Sequence, residues 1–296
     1  MGAVTGISWT GDHGKTWSPW FGCTKVHTGC ANCFAEADNA RYNRNGDPRG
    51  GVAASWGPGA PRKPRAESGW KLPLKWAREA AEAGRRDKVF PSLCDPLDAE
   101  IAPEIFARFM QLIRDTSRVG PVDRCGLLWL LLTKRPERAP AIPEDARPLV
   151  WLIASVSDQP TADKYVPRLL EAKGFGLLGL SVEPMLGPVD LSEWLVRSRD
   201  VTDPDDDAPD GAEVDGMERV GRTWERRQRL SWVICGGESG HKRRTFPGAV
   251  DAYRDIREQC RDAGVPFFMK QDSALLPGQQ GSIPDDLWRV KEFPDV

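Results

Sequence analysis

Leu127-Leu128-Trp129-Leu130-Leu131-Leu132-Thr133 is apolar up to Thr133, and Lys134-Arg135 follow it directly. A strand with one wet face alternates in polarity. A run that is apolar throughout is buried on both faces, as in the middle of a parallel sheet. Val150-Trp151-Leu152-Ile153-Ala154-Ser155-Val156 repeats the pattern. Working outward, further strands are predicted at Gly6–Trp9, Lys88–Ser92, Phe175–Val182, Leu230–Cys235 and Val265–Lys270. Helices are predicted over 33–43, over 74–81 with a stop near Gly84, and over 99–118, where Pro103 suits a first turn. Two more are predicted over 160–173 and 248–263, ended by Gly174 and Gly264. Strands separated by helix-length segments make βα units and a parallel sheet. Seven such strands fit an α/β fold of the TIM type, a full or partial (β/α) barrel, although periodicity also admits a doubly wound sheet.

The whole chain, 1–296, reads as one barrel domain with two interruptions. The segment 46–65 reads as a surface loop containing a small basic cluster, Pro61-Arg62-Lys63-Pro64-Arg65. The segment 199–228 is acidic and proline-containing near Asp203–Gly211, and reads as a solvated, partly disordered insertion. Net charge is -2 with 28% charged residues, so no global basic field points to nucleic acid or a membrane. The first residues lack the basic and apolar regions of a signal peptide, and no apolar run is long enough for a membrane span. Seven cysteines, three of them clustered, point to the reducing cytoplasm and to metal chemistry rather than a disulfide framework.

The cluster is Gly22-Cys23-Thr24-Lys25-Val26-His27-Thr28-Gly29-Cys30-Ala31-Asn32-Cys33, spaced C-x6-C-x2-C. Three thiolates suit zinc or an iron–sulfur cluster, both of which take soft sulfur ligands. Gly22 and Gly29 let the loop wrap closely around what it binds. Polar residues follow each apolar run: Ser92, Cys94 and Asp95; Thr133, Lys134 and Arg135; Ser155, Ser157 and Asp158; Ser181 and Glu183; Gly236-Gly237-Glu238-Ser239-Gly240; and Lys270, Gln271 and Asp272. In a parallel barrel all these strand ends lie on one face, where active sites sit. Cys94, Cys125, Cys235 and Cys260 read as small buried hydrophobes, with Cys94 kept as a site candidate beside Asp95.

Two cofactor readings compete. In one, Cys23, Cys30 and Cys33 hold a 4Fe–4S cluster whose fourth iron is open to a cosubstrate. That layout is similar to radical S-adenosylmethionine (SAM) enzymes, which cleave SAM reductively. The resemblance implies SAM or substrate contacts at Ser157, Glu183, Gly236, Gly237 and Glu238, and substrate polarity from Asp95, Lys134, Arg135 and Lys270. In the other, His27 completes a closed Cys3His zinc site.

The chain also resembles the phage Gp37/Gp68 family of three-cysteine-motif proteins. The matching pieces are Gly6-Ile7-Ser8-Trp9-Thr10, Thr16-Trp17-Ser18-Pro19, Gly22–Val26, Gly29-Cys30, Asn32–Glu36, Leu132–Arg138, Glu183–Val189, Gly236–Gly240 and Pro266–Gln271, which together span nearly the whole chain. Two departures stand out. The radical SAM loop has a first gap of three residues and an aromatic before the third cysteine, where this chain has six residues and Asn32. Ser92-Leu93-Cys94-Asp95-Pro96-Leu97-Asp98 replaces a Ser-Met-Ser-Asp-Leu-Phe-His type of segment, keeping Asp95 and lacking the histidine. The family's association with a companion protein implies a partner. Three functions follow as expectations: a radical-SAM-like enzyme, a nucleic-acid-processing protein of phage–host conflict with a structural metal, or a zinc-stabilised interaction module. For the second, Trp9, Trp17, Trp20, Trp56, Trp70 and Trp76 either stack bases or fill the core.

Overall fold

The computed structural model describes residues 5–38, 55–119, 125–195, 213–214, 217–220, 223–226 and 229–295. Seven strands form one sheet in chain order: β1 (Lys15–Thr16), β2 (Arg86–Phe90), β3 (Gly126–Thr133), β4 (Val150–Val156), β5 (Leu177–Val182), β6 (Trp232–Gly236) and β7 (Phe267–Gln271). Every neighbouring pair is parallel, and β1 and β7 are the two edges of a curled half-barrel. Helices α1 (Glu67–Glu82), α2 (Pro103–Ser117), α3 (Gln159–Leu170) and α4 (Ala249–Ala263) return the chain between strands, and the short α5 (Asp285–Trp288) follows β7. Between β3 and β4 the return is made by two 3-10 turns, Pro136–Ala141 and Arg147–Leu149.

The strands are apolar throughout because each face has its own core. Leu127, Trp129 and Leu131 point outward, into a cluster with Phe109 and Ile113 of α2. Leu128 and Leu130 point inward, with Trp151, Ile153, Leu177, Trp232, Ile234 and Phe268. Trp232 anchors the inner cluster, with ring centroids 5.8 Å from Trp151 and 6.2 Å from Trp9. The interior is packed with side chains and is not a channel.

Six predicted strands are present, Val150–Val156 with the expected bounds and the other five offset by one or two residues. The strand expected at Gly6–Trp9 is instead a 3-10 turn, Ser8–Thr10. Thr10 Oγ1 donates back to the Ile7 carbonyl at 2.7 Å, and Gly11 follows at φ +78°. This turn drives Trp9 inward against Phe90, at 4.7 Å between centroids. The edge strand is Lys15–Thr16. Trp9, Trp17, Trp20, Trp70 and Trp76 are all buried, so they fill the two cores and do not stack bases.

Helix α1 starts seven residues before its predicted range and contains Pro73. Proline has no N–H, which leaves the carbonyl four residues back without its helical donor. That carbonyl belongs to Gly69, and Trp17 Nε1 donates to it at 3.0 Å. Helix α4 ends as expected at Gly264, in the left-handed region at φ +68°. Residues 34–38 of the predicted 33–43 helix are helical, and 39–43 lie outside the described residues. Within 199–228 the strands Glu213–Val214, Met217–Val220 and Thr223–Arg226 form an antiparallel sheet, and the rest lies outside the described residues. The basic cluster at 61–65 is not a surface patch. Arg62 is 6% exposed. Arg65 stacks on Trp17 and Phe21, and Lys63–Pro64 pair with Trp20–Phe21. Among the described residues no helix is long and apolar enough to cross a membrane.

The two-residue edge strand is fastened electrostatically. Lys15 Nζ of β1 lies 2.9 Å from Asp87 Oδ2 of β2, with side chains 7% and 0% exposed. Arg85 Nε reaches Asp87 Oδ1 at 2.7 Å. Asp87→Ala would leave Lys15 buried and unpaired. It is expected to lower the unfolding free energy by about 3–5 kcal/mol, read from the urea midpoint. A loss below about 1 kcal/mol would mean that other contacts hold the edge.

Candidate functional site

The C-terminal ends of β2, β3, β5, β6 and β7 open on a cavity of about 320 Å³. Cys23, Cys30 and Cys33 all line it. So do Cys94 and Asp95 after β2, Lys134 after β3, Glu183 after β5, Gly237 and Glu238 after β6, and Lys270 of β7. Trp9, Phe90 and Leu132, at the upper end of the inner core, also contribute, and Phe34 and Trp56 supply further apolar wall. The predicted convergence of strand ends on the cysteine loop is therefore present for five of the six ends.

The sixth end, after β4, supports the site without facing it. Ser155 Oγ accepts from Lys134 Nζ at 2.8 Å and donates to the Glu183 carbonyl at 3.0 Å. Asp158 caps α3 by accepting from Thr161 N at 3.0 Å, and also accepts from Thr28 Oγ1 at 3.2 Å. Ser157 is fully buried and touches the cysteine loop: a Cβ on Gly29 would stand 2.2 Å from its Oγ. A Cβ on Gly22, at φ +111°, would stand 2.1 Å from the Ser55 carbonyl. The two loop glycines are thus needed for close approach to other protein segments. Gly236 and Ser157 do not line the cavity, and the Gly236 carbonyl accepts from Met185 N at 2.9 Å.

The loop is tied down along its length. Thr24 is held from two sides: Arg135 Nη2 donates to its carbonyl at 2.7 Å, and Arg62 Nη2 to its hydroxyl at 2.7 Å. Both arginines are anchored by one turn after β2. Arg135 Nη1 donates to Asp95 Oδ2 at 2.8 Å, and Arg62 Nε to Asp98 Oδ2 at 2.6 Å. Asp95 also accepts from Thr133 Oγ1, Lys134 N and Leu97 N at 2.7, 3.0 and 2.9 Å. Its carboxylate is thereby committed to the protein. Farther on, Arg244 Nη1 donates to the Thr28 carbonyl at 3.0 Å. Asn32 Nδ2 reaches Glu238 Oε2 at 3.1 Å and the Lys242 carbonyl at 2.7 Å. Glu238 also accepts from Arg244 Nε and Nη2 at 2.9 and 2.7 Å. Burial opposes charge on Glu238, yet Arg244 and Asn32 hold its pKa below the usual value.

Each acid at the cavity has a cation: Asp95 has Arg135, Glu183 has Lys270, and Glu238 has Arg244. Lys134 keeps Ser155 as its hydrogen-bond partner, and among the described residues no carboxylate lies at ion-pair distance from it. Burial, reinforced by Asp95, pushes the Cys23 thiol up to about 12 despite Arg135 Nη1 at 3.5 Å from its Sγ. Burial also raises Cys33. A bare thiolate is disfavoured here, and a bound cation would offset that cost. Among the described residues, no three of His, Cys, Asp or Glu group closely enough to hold a single metal ion.

His27 sits behind the loop and does not line the cavity. Its Nδ1 accepts from Gly29 N at 3.0 Å, and its ring lies 5.7 Å from Tyr165. Burial, with Lys134, lowers its pKa to about 4, so it is neutral at pH 7 with the proton on Nε2. That Nε2 is buried without a partner. Cys125, Cys235 and Cys260 are buried, as expected, while Cys94 lines the cavity.

Residues that tether the loop went unassigned in the sequence: Thr24, Arg62, Asp98 and Arg244. Their signal was weak, since Arg62 resembled a surface charge and Asp98 stood where a histidine was expected. No curated protein and no solved structure matches this chain. Residues 4–282 match the family described as "Protein of unknown function (DUF5131)", and the chain belongs to that family.

Proposed function

We propose that the protein is a radical-SAM-like iron–sulfur enzyme, with a 4Fe–4S cluster on Cys23, Cys30 and Cys33. The observation that carries this reading is that all three cysteines of one loop open on the cavity lined by five strand ends. The donor set fits the group: three thiols, raised by burial at Cys23 and Cys33, next to Arg135 and Lys134. A cluster attaches each thiolate to a different iron, so it tolerates wider sulfur spacing than a single ion does. When bound, the cluster supplies one-electron reductive cleavage of S-adenosylmethionine. The chain's own residues bind and orient. Lys134, without a carboxylate partner, suits the anionic end of a cosubstrate or substrate. The Glu183–Lys270 pair suits further polar groups of that ligand. Trp9, Phe34 and Phe90 supply apolar wall for the less polar part of a ligand.

The resemblance to the phage Gp37/Gp68 proteins belongs to the same proposal, as does a macromolecular substrate or a companion protein. Phe34 at the cavity is 59% exposed, and Leu275 and Leu276 are exposed just before the lining residues Pro277 and Gly278. An apolar rim of this kind suits a large partner covering the mouth. The second reading, a zinc ion on the three cysteines and His27, has less support, because His27 lies behind the loop and outside the cavity that the cysteines line.

Protein purified without oxygen is expected to be brown, with about four irons per chain. Colourless protein with one zinc per chain overturns the cluster reading. Cys30→Ala is expected to lose the metal while keeping the far-ultraviolet circular dichroism of the fold. Unfolding would instead mark a structural zinc site. His27→Gln separates the readings further. Metal content is expected to be unchanged with a cluster, and to fall several-fold if His27 is a ligand.

A further inference from the structure

We propose that Arg135 is a positioning residue that raises the reduction potential of the cysteine site. This rests on the reading of Cys23 as a cluster ligand. Arg135 Nη1 lies 3.5 Å from Cys23 Sγ and 2.8 Å from Asp95 Oδ2, and Nη2 lies 2.7 Å from the Thr24 carbonyl. The residue is 6% exposed. Its planar fork therefore spans a ligand sulfur, a buried carboxylate and the backbone beside that sulfur. A guanidinium stays protonated in proteins, so this fork carries a fixed positive charge. Among the described residues, no charged side chain donates a hydrogen bond to Cys30 or Cys33 Sγ. The charged donor is thus placed at one corner of the three.

Reduction adds negative charge to a cluster. An N–H aimed at a ligand sulfur, and a fixed positive charge beside it, favour the reduced state. Arg135 is buried, so its charge is screened less than it would be at a surface. Asp95 opposes it in part, because its Oδ2 accepts from the same Nη1 at 2.8 Å. Its four donors hold it at that distance, while the N–H meets the sulfur directly.

The test compares wild type, Arg135→Lys and Arg135→Gln, each reconstituted with iron and sulfide without oxygen. Iron per chain and circular dichroism are read first, then the midpoint potential by redox titration. All three are expected to hold iron. Arg135→Gln is expected to shift the reduction equilibrium about tenfold toward the oxidised state, ~59 mV for one electron. Arg135→Lys, which keeps the charge but cannot span three acceptors, should fall between. Equal potentials overturn the inference. Iron loss from both variants with the fold intact also overturns it, because Arg135 would then only hold the loop. If Arg135→Gln does not fold, Arg135→Lys decides, and an unmoved potential in it refutes the inference. Wild type without iron removes the cluster reading and this inference together, whereas iron-loaded wild type with unmoved variants removes this inference alone.

Discussion

Two buried carboxylates in one tight turn, Asp95 and Asp98, fix where the cysteine loop lies. The turn closes on itself through Asp98 N and the Asp95 carbonyl, 3.1 Å apart. Each carboxylate orients one arginine, and both arginines end on Thr24, the residue after Cys23. A buried ion pair is seldom more stabilising than a well-packed apolar pair, because desolvation offsets its attraction. What it supplies is direction. A planar guanidinium bonded to a buried carboxylate has few rotamers left, so its remaining N–H groups point where the backbone has placed them.

That turn can act on the loop only because the barrel puts both at one end. The inner cluster around Trp232 fills the space between the strands, and Trp9 lies across it between Phe90 and Trp232. Ligand space is left above this packed floor, at the C-terminal strand ends. Parallel strands bring all their ends to that side, so residues far apart in sequence meet there. Asn32 and Glu238, and Arg135 and Cys23, are such pairs. The half-barrel leaves β1 and β7 unpaired with each other. The inward turn of Trp9 covers the interior without a further strand.

Much of this was legible in the sequence where burial leaves a pattern. Runs such as Leu127–Leu132 have to be buried on both faces, and strands so placed have to end together. The convergence of Lys134, Glu183, Glu238 and Lys270 with the three cysteines follows from those two facts. Gly6–Trp9 misled because four residues do not define a period, and the Thr10 hydroxyl tips the balance toward a turn. Arg62 misled for a different reason. Sequence shows a charge, but whether that charge faces water depends on whether a carboxylate waits for it, and Asp98 lies 36 residues away. Likewise Asp95 reads as an open polar group until its four donors are counted. Long-range pairing is the part of a site that local pattern does not carry.

The electrostatics of the cavity tie these features together. Its acids are each neutralised by a cation already in place, so an incoming ligand meets no uncompensated carboxylate. Cys23 and Cys33 resist ionisation because they are buried, and at Cys23 the nearby Asp95 adds to this. A cationic metal reverses that preference locally. The loop need not be organised by the metal, however, since Thr24, Thr28 and Asn32 are bonded to the barrel by arginines and carboxylates that are not ligands in either cofactor reading. In a small zinc module the metal supplies the folding energy. Here the scaffold itself supplies the geometry of the loop.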